Sequence, residues 1–221
     1  MRQVWRNNGL SIVMLGMFFV AFIFGQAYSG WLESNEDRGR HGQRRESLPE
    51  YLMGAHFAEA TTENWESEFL QMGIFVLFSV FLYQKGSAES KNPDKREKVD
   101  RDPRNVRNKK DAPWPVRRGG WILRLYENSL SLAFFALFLT SFFLHALSGR
   151  AKYNEEQLLH ASAPVSLAGY MGSSRFWFES FQNWQSEFLA IGCMVVFSIY
   201  LRQKGSPQSK PVDAPHSETG S

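Results

Sequence analysis

The pattern of apolar positions contains two long stretches without any Lys, Arg, Asp or Glu. Residues 7–32 make one run of 26 such positions, and residues 128–149 make another of 22. A helix needs about 20 mostly apolar residues to cross the hydrocarbon core of a bilayer, which is roughly 30 Å thick. We therefore predict transmembrane helices at about 9–31 and 128–148.

Two shorter apolar runs alternate with these along the chain. Residues 69–84 contain 16 uncharged positions, and residues 188–201 contain 14. At about 1.5 Å per residue these runs extend only roughly 24 Å and 21 Å, so each span must include the polar turn before it. The predicted spans are about 65–84 and 184–202, and they carry Glu68 and Glu187. A buried helix of a soluble core is the alternative, but residues 74–78 show no polar face.

The chain also contains an internal duplication. Shifting the sequence by 119 positions aligns residues 26–91 with residues 145–210, and 27 of the 66 pairs are identical, where chance gives roughly four. The first and third spans match at an offset of 120 instead, so one residue is gained or lost within the span. We predict an all-α membrane protein of four transmembrane helices, arranged as two parallel two-helix repeats. Short interfacial helices are expected in the outer loops, from Leu48 to Phe57 and from Leu167 to Phe178.

Charge sets the predicted orientation. Residues 85–124 carry 13 Lys or Arg against 6 Asp or Glu, whereas residues 31–64 carry 4 against 7. The positive-inside rule then places both termini and the central linker in the cytoplasm, and the two repeat loops outside. The predicted segments are listed in chain order: repeat unit 1 at 1–91, a flexible charged linker at 92–118, repeat unit 2 at 119–210, and a disordered tail at 211–221.

The basic linker leads into an aromatic segment at the start of the third span. Arg117, Arg118, Trp121 and Arg124 are predicted to contact anionic lipid headgroups, because basic and aromatic side chains favour that depth. Nucleic acid is not an expected partner, since aspartates interrupt the basic run and no nucleic-acid-binding fold surrounds it.

The most distinctive duplicated motif is Asn-Trp-x-Ser-Glu-Phe-Leu, at 64–70 and 183–189. A carboxylate near the hydrocarbon is normally turned towards a partner or water, so the motif is a candidate ion, proton or partner site. The alternative is a helix N-terminal element in which Asn64 or Asn183 caps the helix. The candidate residues are Trp65, Ser67, Glu68, Trp184, Ser186 and Glu187, together with His145 near the outer end of the third span.

Other duplicated features point less clearly to chemistry. Asp37 with His41, and Glu156 with His160, have an i, i+4 spacing that can hold a metal, but two ligands per copy make only weak candidates. The motif Gln-Lys-Gly-Ser at 84–87 and 203–206 is predicted to end the second helix of each copy with a basic residue and a glycine. The sequence shows no nucleophile and base pair, phosphate loop or haem motif, so we expect neither an enzyme nor a cofactor.

These repeated motifs, and Gln-Lys-Gly-Ser-x-x-Ser-Lys in particular, resemble an uncharacterised family of bacterial membrane proteins known only as a domain of unknown function. The resemblance implies a bacterial source and a multi-pass location in the cytoplasmic (inner) membrane. We expect a structural or accessory protein that contacts membrane lipids and a protein partner or a second copy of itself. The alternative is a small transporter or channel that uses Glu68 and Glu187.

Overall fold

The computed structural model describes residues 2–220, and over that range the protein is helical and contains no β-strand. This confirms the all-α part of the prediction. The helices are α1 (Arg2–Val20), α2 (Gly30–Arg40), α3 (Leu48–Leu52), α4 (Ala55–Phe78), α5 (Trp114–Arg118), α6 (Gly120–Glu127), α7 (Ser129–Leu159), α8 (Leu167–Met171) and α9 (Ser174–Tyr200). A π-helical segment, Ala21–Ser29, joins α1 to α2, and two short 3₁₀ turns, Lys98–Asp100 and Pro103–Val106, lie in the linker.

Two of the helical stretches are long and apolar enough to cross a membrane. One is the continuous helix Arg2–Arg40, which comprises α1, the π-helical segment and α2, and the other is α7. In the most apolar part of the first, none of the residues is buried, and in the second only 17% are. These two helices contain the two longest uncharged runs of the sequence.

The π-helical segment coincides with the shift in the repeat alignment. Phe22 matches Phe142 at an offset of 120, whereas Gln26 matches His145 at 119, so the first copy has one extra residue between these points. A helix that absorbs one extra residue while keeping both flanks in register must widen locally to i→i−5 hydrogen bonds. The insertion therefore explains why Ala21–Ser29 is π-helical while α7 continues as a regular α-helix.

The chain folds as two compact units, and each draws on both copies of the repeat. The first unit comprises Met1–Thr62 and Leu144–Met171, and the second comprises Glu63–Phe143 and Gly172–Ser221.

In the first unit, an asparagine clasps each of the two loops that were predicted to be outer loops. The side-chain amide of Asn35 donates to the carbonyl of Glu46 at 3.0 Å, and its oxygen accepts from the Glu46 amide at 2.8 Å. Asn154 makes the same pair of bonds with Val165, at 3.1 and 2.8 Å. Each loop is thus closed by two hydrogen bonds between residues eleven positions apart.

The two short helices begin at the predicted residues but end earlier, at Leu52 and Met171, and each carries a buried tyrosine. Pro49 lies in the first turn of α3, and Ser47 and Glu50 form a capping box at its start. Tyr51 at the end of α3 is 2% exposed, and Tyr170 of α8 is 0% exposed. A side chain at Gly30 or Gly149 would collide with the hydroxyl of Tyr51 or Tyr170 respectively, so glycine allows each tyrosine to lie against a helix.

In the second unit, the Gln-Lys-Gly-Ser motifs do not end the helices, which corrects the prediction. Helices α4 and α9 end at Phe78 and Tyr200, before either motif begins. Each motif is instead a separate turn. Its glycine has φ near +85° (Gly86 86°, Gly205 84°), and the amide of its glutamine donates at 2.9 Å to a serine hydroxyl six residues later, Ser90 or Ser209.

The predicted linker and tail carry local structure in the second unit. Lys91 pairs with Asp100 at 2.6 Å in the linker. In the tail, the ammonium of Lys210 donates to three carbonyls, those of Pro215, His216 and Glu218, at 2.8–3.2 Å. Flexibility of the linker and disorder of the tail remain predictions about the chain in solution.

Candidate functional site

The duplicated motif lies within the second unit, where α4 and α9 are joined by a ladder of three hydrogen bonds. The amide of Asn183 donates to Glu63 at 2.6 Å, and the indole of Trp184 donates to Glu66 at 3.1 Å. Further along α4, the amide of Gln71 donates to the backbone carbonyl of Glu187 at 2.8 Å. We call this set the α4–α9 ladder. It places two carboxylates of α4 against the Asn-Trp pair of the second motif.

Glu66 is the most deeply placed acid of the ladder, with 0% of its surface exposed. A buried carboxylate is strongly unfavourable unless donors satisfy it, and the Trp184 indole supplies one. Trp184 also packs against Phe181 and Phe138, at ring-centroid distances of 5.2 and 6.2 Å. The indole that donates to Glu66 is therefore flanked by two aromatic rings.

The serines of the motif make hydrogen bonds within their own helices. Ser67 donates to the carbonyl of Asn64, and Ser186 donates to that of Asn183, both at 2.8 Å. Helices α4 and α9 start at Ala55 and Ser174, so both asparagines lie more than two turns inside a helix. The capping alternative is therefore wrong for these asparagines, and the start of α9 is capped by Ser173, which accepts from the amide of Phe176.

The two predicted glutamates differ in environment. Glu68 is exposed, whereas Glu187 and Trp65 are half-buried. The structure thus joins Trp184 and Glu187 to the α4–α9 ladder, and it leaves the carboxylate of Glu68 at the surface of the second unit.

Comparison of the two repeats missed the acids that carry the ladder. Glu63 and Glu66 align with Gln182 and Gln185, so neither position is identical in the two copies. Glu63 and Glu66 could have been found by a signal that does not depend on the duplication, namely a carboxylate near the start of an apolar helix. Any carboxylate in the first turns of a membrane-spanning helix is expected to have a partner.

His145 lies on α7 in the first unit and is 0% exposed. Two turns further along α7, Lys152 pairs with the buried Glu59 of α4 at 2.5 Å. His56, one turn before Glu59, lies outside the predicted span. Burial lowers the pKa of His56 below its ordinary value, and the positive charge of Lys152 lowers it further.

The ion pair lies beside an open, charged groove of the first unit with a volume of about 870 Å³. Two of the weak metal candidates, Asp37 and Glu156, line it. His41 contacts Asp37, with 3.6 Å between Nδ1 and Oδ1, and His160 follows the last turn of α7. Among residues 2–220, no group of three or more His, Cys, Asp or Glu side chains is arranged to hold a metal ion.

The predicted headgroup-binding residues lie on α5 and α6 of the second unit. Arg117, Arg118 and Arg124 are exposed, and Trp121 is 73% exposed. They form a surface distinct from the α4–α9 ladder.

Comparison with known proteins gives a family and no characterised relative. No curated protein and no solved structure matches the chain. The model of one family, described as a domain of unknown function (DUF6766), matches residues 1–221. Because this match spans the whole sequence, the chain belongs to the DUF6766 family.

Proposed function

We propose that this protein is a multi-pass integral membrane protein of the bacterial inner membrane with a structural or accessory role. The observation that carries the proposal is the exposure of the first long helix. Large apolar side chains such as Leu10, Met17 and Phe24 are 78%, 63% and 67% exposed. Water disfavours so much contiguous apolar surface, whereas lipid accommodates it.

Four spans are proposed, with α4 and α9 as the second and fourth. Within the predicted spans, these helices supply residues 65–78 and 184–200, which extend roughly 21 and 26 Å at about 1.5 Å per residue, so each span includes the polar turn before it. Glu63 and Glu66, at the start of the second proposed span, each accept a hydrogen bond from α9, as burial in a bilayer requires. The matched contacts of the two copies support a duplicated architecture: the Asn35 and Asn154 clasps, and the two glycine turns.

An accessory role is favoured over transport by what the polar groups of the spans do. In the α4–α9 ladder, Glu63 and Glu66 accept hydrogen bonds from α9, which holds the two helices together. A transport pathway needs polar groups that can exchange partners with the passing ion. Here the acids hold helices, so the proposed role of the motif is to fix the bundle that carries the outer loops.

Two experiments test the proposal. Alkaline extraction should leave the protein in the membrane fraction, and release into the supernatant would contradict membrane integration. Chemical cross-linking in native membranes, followed by affinity purification and mass spectrometry, should recover one reproducible partner or a cross-linked dimer. Repeated recovery of the monomer alone would contradict the accessory role.

The transport alternative is tested in reconstituted vesicles. Proton and cation flux is measured for the wild-type protein and for the Glu68→Gln, Glu187→Gln double variant. We expect no flux above that of empty vesicles from either protein. Flux that the double variant abolishes would replace the accessory proposal with the transport one.

A further inference from the structure

Residues 103–127 fold into a small element of their own, which we call the arginine hook. It consists of the 3₁₀ turn Pro103–Val106, the intervening loop, α5 and α6. Ala112, Val116 and Leu123 form its buried core, and Val106 packs against them. Arg104 adds an ion pair with Glu127 at 3.6 Å, which ties the first turn of the hook to its last residue.

Arg107 fixes the bend between the two helices of the hook. Its guanidinium donates to the carbonyls of Arg117 and Arg118, at 2.9 and 3.1 Å, and so caps the C-terminus of α5. Gly119 follows with φ 71°, and a side chain there would come within 3.3 Å of the Arg107 guanidinium. Both the backbone conformation and the close approach therefore favour glycine at this bend.

This bend leaves two kinds of side chain on the outside of the hook. The aromatic residues Trp114 and Trp121 are 60% and 73% exposed. The guanidinium groups of Arg117, Arg118 and Arg124 are exposed, and within residues 2–220 none of the three has a carboxylate partner. Arg124 lies one turn from Trp121 on α6, so a positive charge and an indole share one side of that helix.

We propose that the arginine hook is a preformed binding site for the phosphate headgroups of anionic lipids in the cytoplasmic leaflet. Only Asn128 separates α6 from α7, so the hook lies directly next to a helix that is apolar enough to span the bilayer. Indole rings favour the headgroup region, and exposed arginines attract its negative charge. The inference rests on the proposed membrane location and adds a lipid class and a leaflet to it.

Lipid titration of the full-length protein in zwitterionic detergent tests the site. Brominated phosphatidylglycerol and brominated phosphatidylcholine are compared as quenchers of tryptophan fluorescence. Phosphatidylglycerol should quench at lower concentrations, and Trp121→Phe should reduce the amplitude of quenching. Each basic residue near an anionic surface contributes about fivefold in affinity, so the triple variant R117Q, R118Q, R124Q should bind phosphatidylglycerol about 100-fold more weakly.

The matched control removes three charges from the linker outside the hook, in the variant K95Q, R96Q, K98Q. It should keep the preference for phosphatidylglycerol. Equal binding of the two lipids by the wild type, or an equal loss in the control, would overturn the proposal. If the triple variant does not fold, Arg124→Gln alone should lower the affinity about fivefold, and an unchanged affinity would also overturn it.

Two further measurements distinguish a lipid headgroup from a free anion, and lipid selectivity from membrane location. Inorganic phosphate should displace no more lipid than chloride at the same ionic strength, and stronger displacement would overturn the headgroup proposal in favour of a free anion. Alkaline extraction of the triple variant tests the membrane location separately, because loss of lipid selectivity leaves the apolar spans intact.

Discussion

Asn35 and Asn154 show what a single duplicated side chain contributes to this fold. Each uses both ends of its amide to hold the far end of an outer loop, at Glu46 and Val165. The two hydrogen bonds of each clasp hold the start and the end of the loop together. Identity in the two copies here reflects a local structural requirement.

Removing the first clasp should open the first outer loop. Asn35→Ala deletes two hydrogen bonds and leaves the backbone groups of Glu46 without these partners, which costs about 1–3 kcal/mol. We expect a lower midpoint of thermal unfolding and faster tryptic cleavage at Arg44 and Arg45. Asn8→Ala is the control, because the Asn8 side chain bonds only to the carbonyl of Val4 in its own helix. Equal cleavage of the two variants would contradict the role of the clasp.

Trp184 tests the α4–α9 ladder. Trp184→Phe keeps an aromatic ring but removes the donor to Glu66, so we expect a loss of stability of about 1–2 kcal/mol. The Glu66→Gln variant should restore part of this loss in the Trp184→Phe background, since a neutral amide tolerates burial better than a carboxylate. Thermal unfolding in detergent measures both effects. Trp177→Phe, within the neighbouring aromatic cluster, is the control for loss of indole packing.

His56 should make the stability of the first unit sensitive to mild acid. Burial and Lys152 lower its pKa in the folded protein, against the opposing effect of Glu33, Glu46 and Asp37. The unfolded chain therefore binds a proton first as the pH falls below the ordinary histidine pKa of 6.5, and the folded state loses relative stability. The contribution of neutral His56 to the free energy of unfolding is complete above pH 6.5 and declines below it.

The measurement is the unfolding midpoint between pH 7.5 and 5. It should fall with pH in the wild type and fall less in His56→Gln, with His160→Gln as the control in an exposed loop position. An identical pH dependence of wild type and His56→Gln would exclude His56 as the group responsible.

At the residue scale, the sequence did not predict which atoms make the contacts of the α4–α9 ladder. Trp184 and Glu187 were predicted as site residues and take part in the ladder, but Glu187 does so through its backbone carbonyl. A backbone contact leaves no trace in side-chain identity. Glu63 and Glu66 were missed because a comparison of repeats gives weight only to positions that agree.

At the scale of elements, the π-helical segment makes a prediction that the regular helices do not. Deleting Phe24 removes the extra residue of the first copy, and Ala21–Ser29 should then close to a regular α-helix with both flanks in register. Deleting Phe143 instead rotates the rest of α7 by about 100°, which moves the buried His145 and Ala146 off their face.

We expect the Phe24 deletion to give monodisperse protein on size-exclusion chromatography and the Phe143 deletion to give aggregate. If both deletions are tolerated equally, or the Phe24 deletion alone fails, the insertion does not explain the π-helical segment.

Helix type was predictable from hydrophobic runs, whereas helix ends were not. Helices α4 and α9 begin about ten residues before the predicted spans, at Ala55 and Ser174. Polar turns that extend an apolar helix have no hydrophobic periodicity to mark them. The glycine turns after Phe78 and Tyr200 are not distinguishable from helix ends by sequence. A glycine that follows a basic residue occurs both at the C-terminus of a helix and in a separate turn.

At the scale of the whole molecule, the topology of the four proposed spans can be measured directly. In a Cys193→Ala background, single cysteines at Arg45 and Ser162 should react with a membrane-impermeant maleimide in intact spheroplasts. Cysteines at Lys95 and Gln208 should react only after the membrane is permeabilised. All four positions are exposed, so a failure to react reports the membrane barrier. If the Lys95→Cys and Arg45→Cys variants both react with the maleimide in intact spheroplasts, the four-span arrangement is contradicted.

The sequence predicted two copies in succession, whereas the compact units of the fold combine parts of both. The first unit takes residues 1–62 from one copy and residues 144–171 from the other. A sequence comparison orders segments along the chain, but it does not show which segments pack together, because packing depends on contacts between residues far apart in sequence. The salt bridge between Glu59 and Lys152 is such a contact.

The asparagine clasps also determine where the chain can be extended. Asn35 and Asn154 bond to the far ends of their loops, so an insertion between the bonded residues need not remove these hydrogen bonds. Gly42 in the first loop and Ala161 in the second both adopt positive φ, at 66° and 54°, at exposed turns. Epitopes or small reporter domains inserted beside these residues would leave the clasps in place, so both outer loops can serve as attachment points on a chain whose termini are proposed to lie on the opposite side of the membrane.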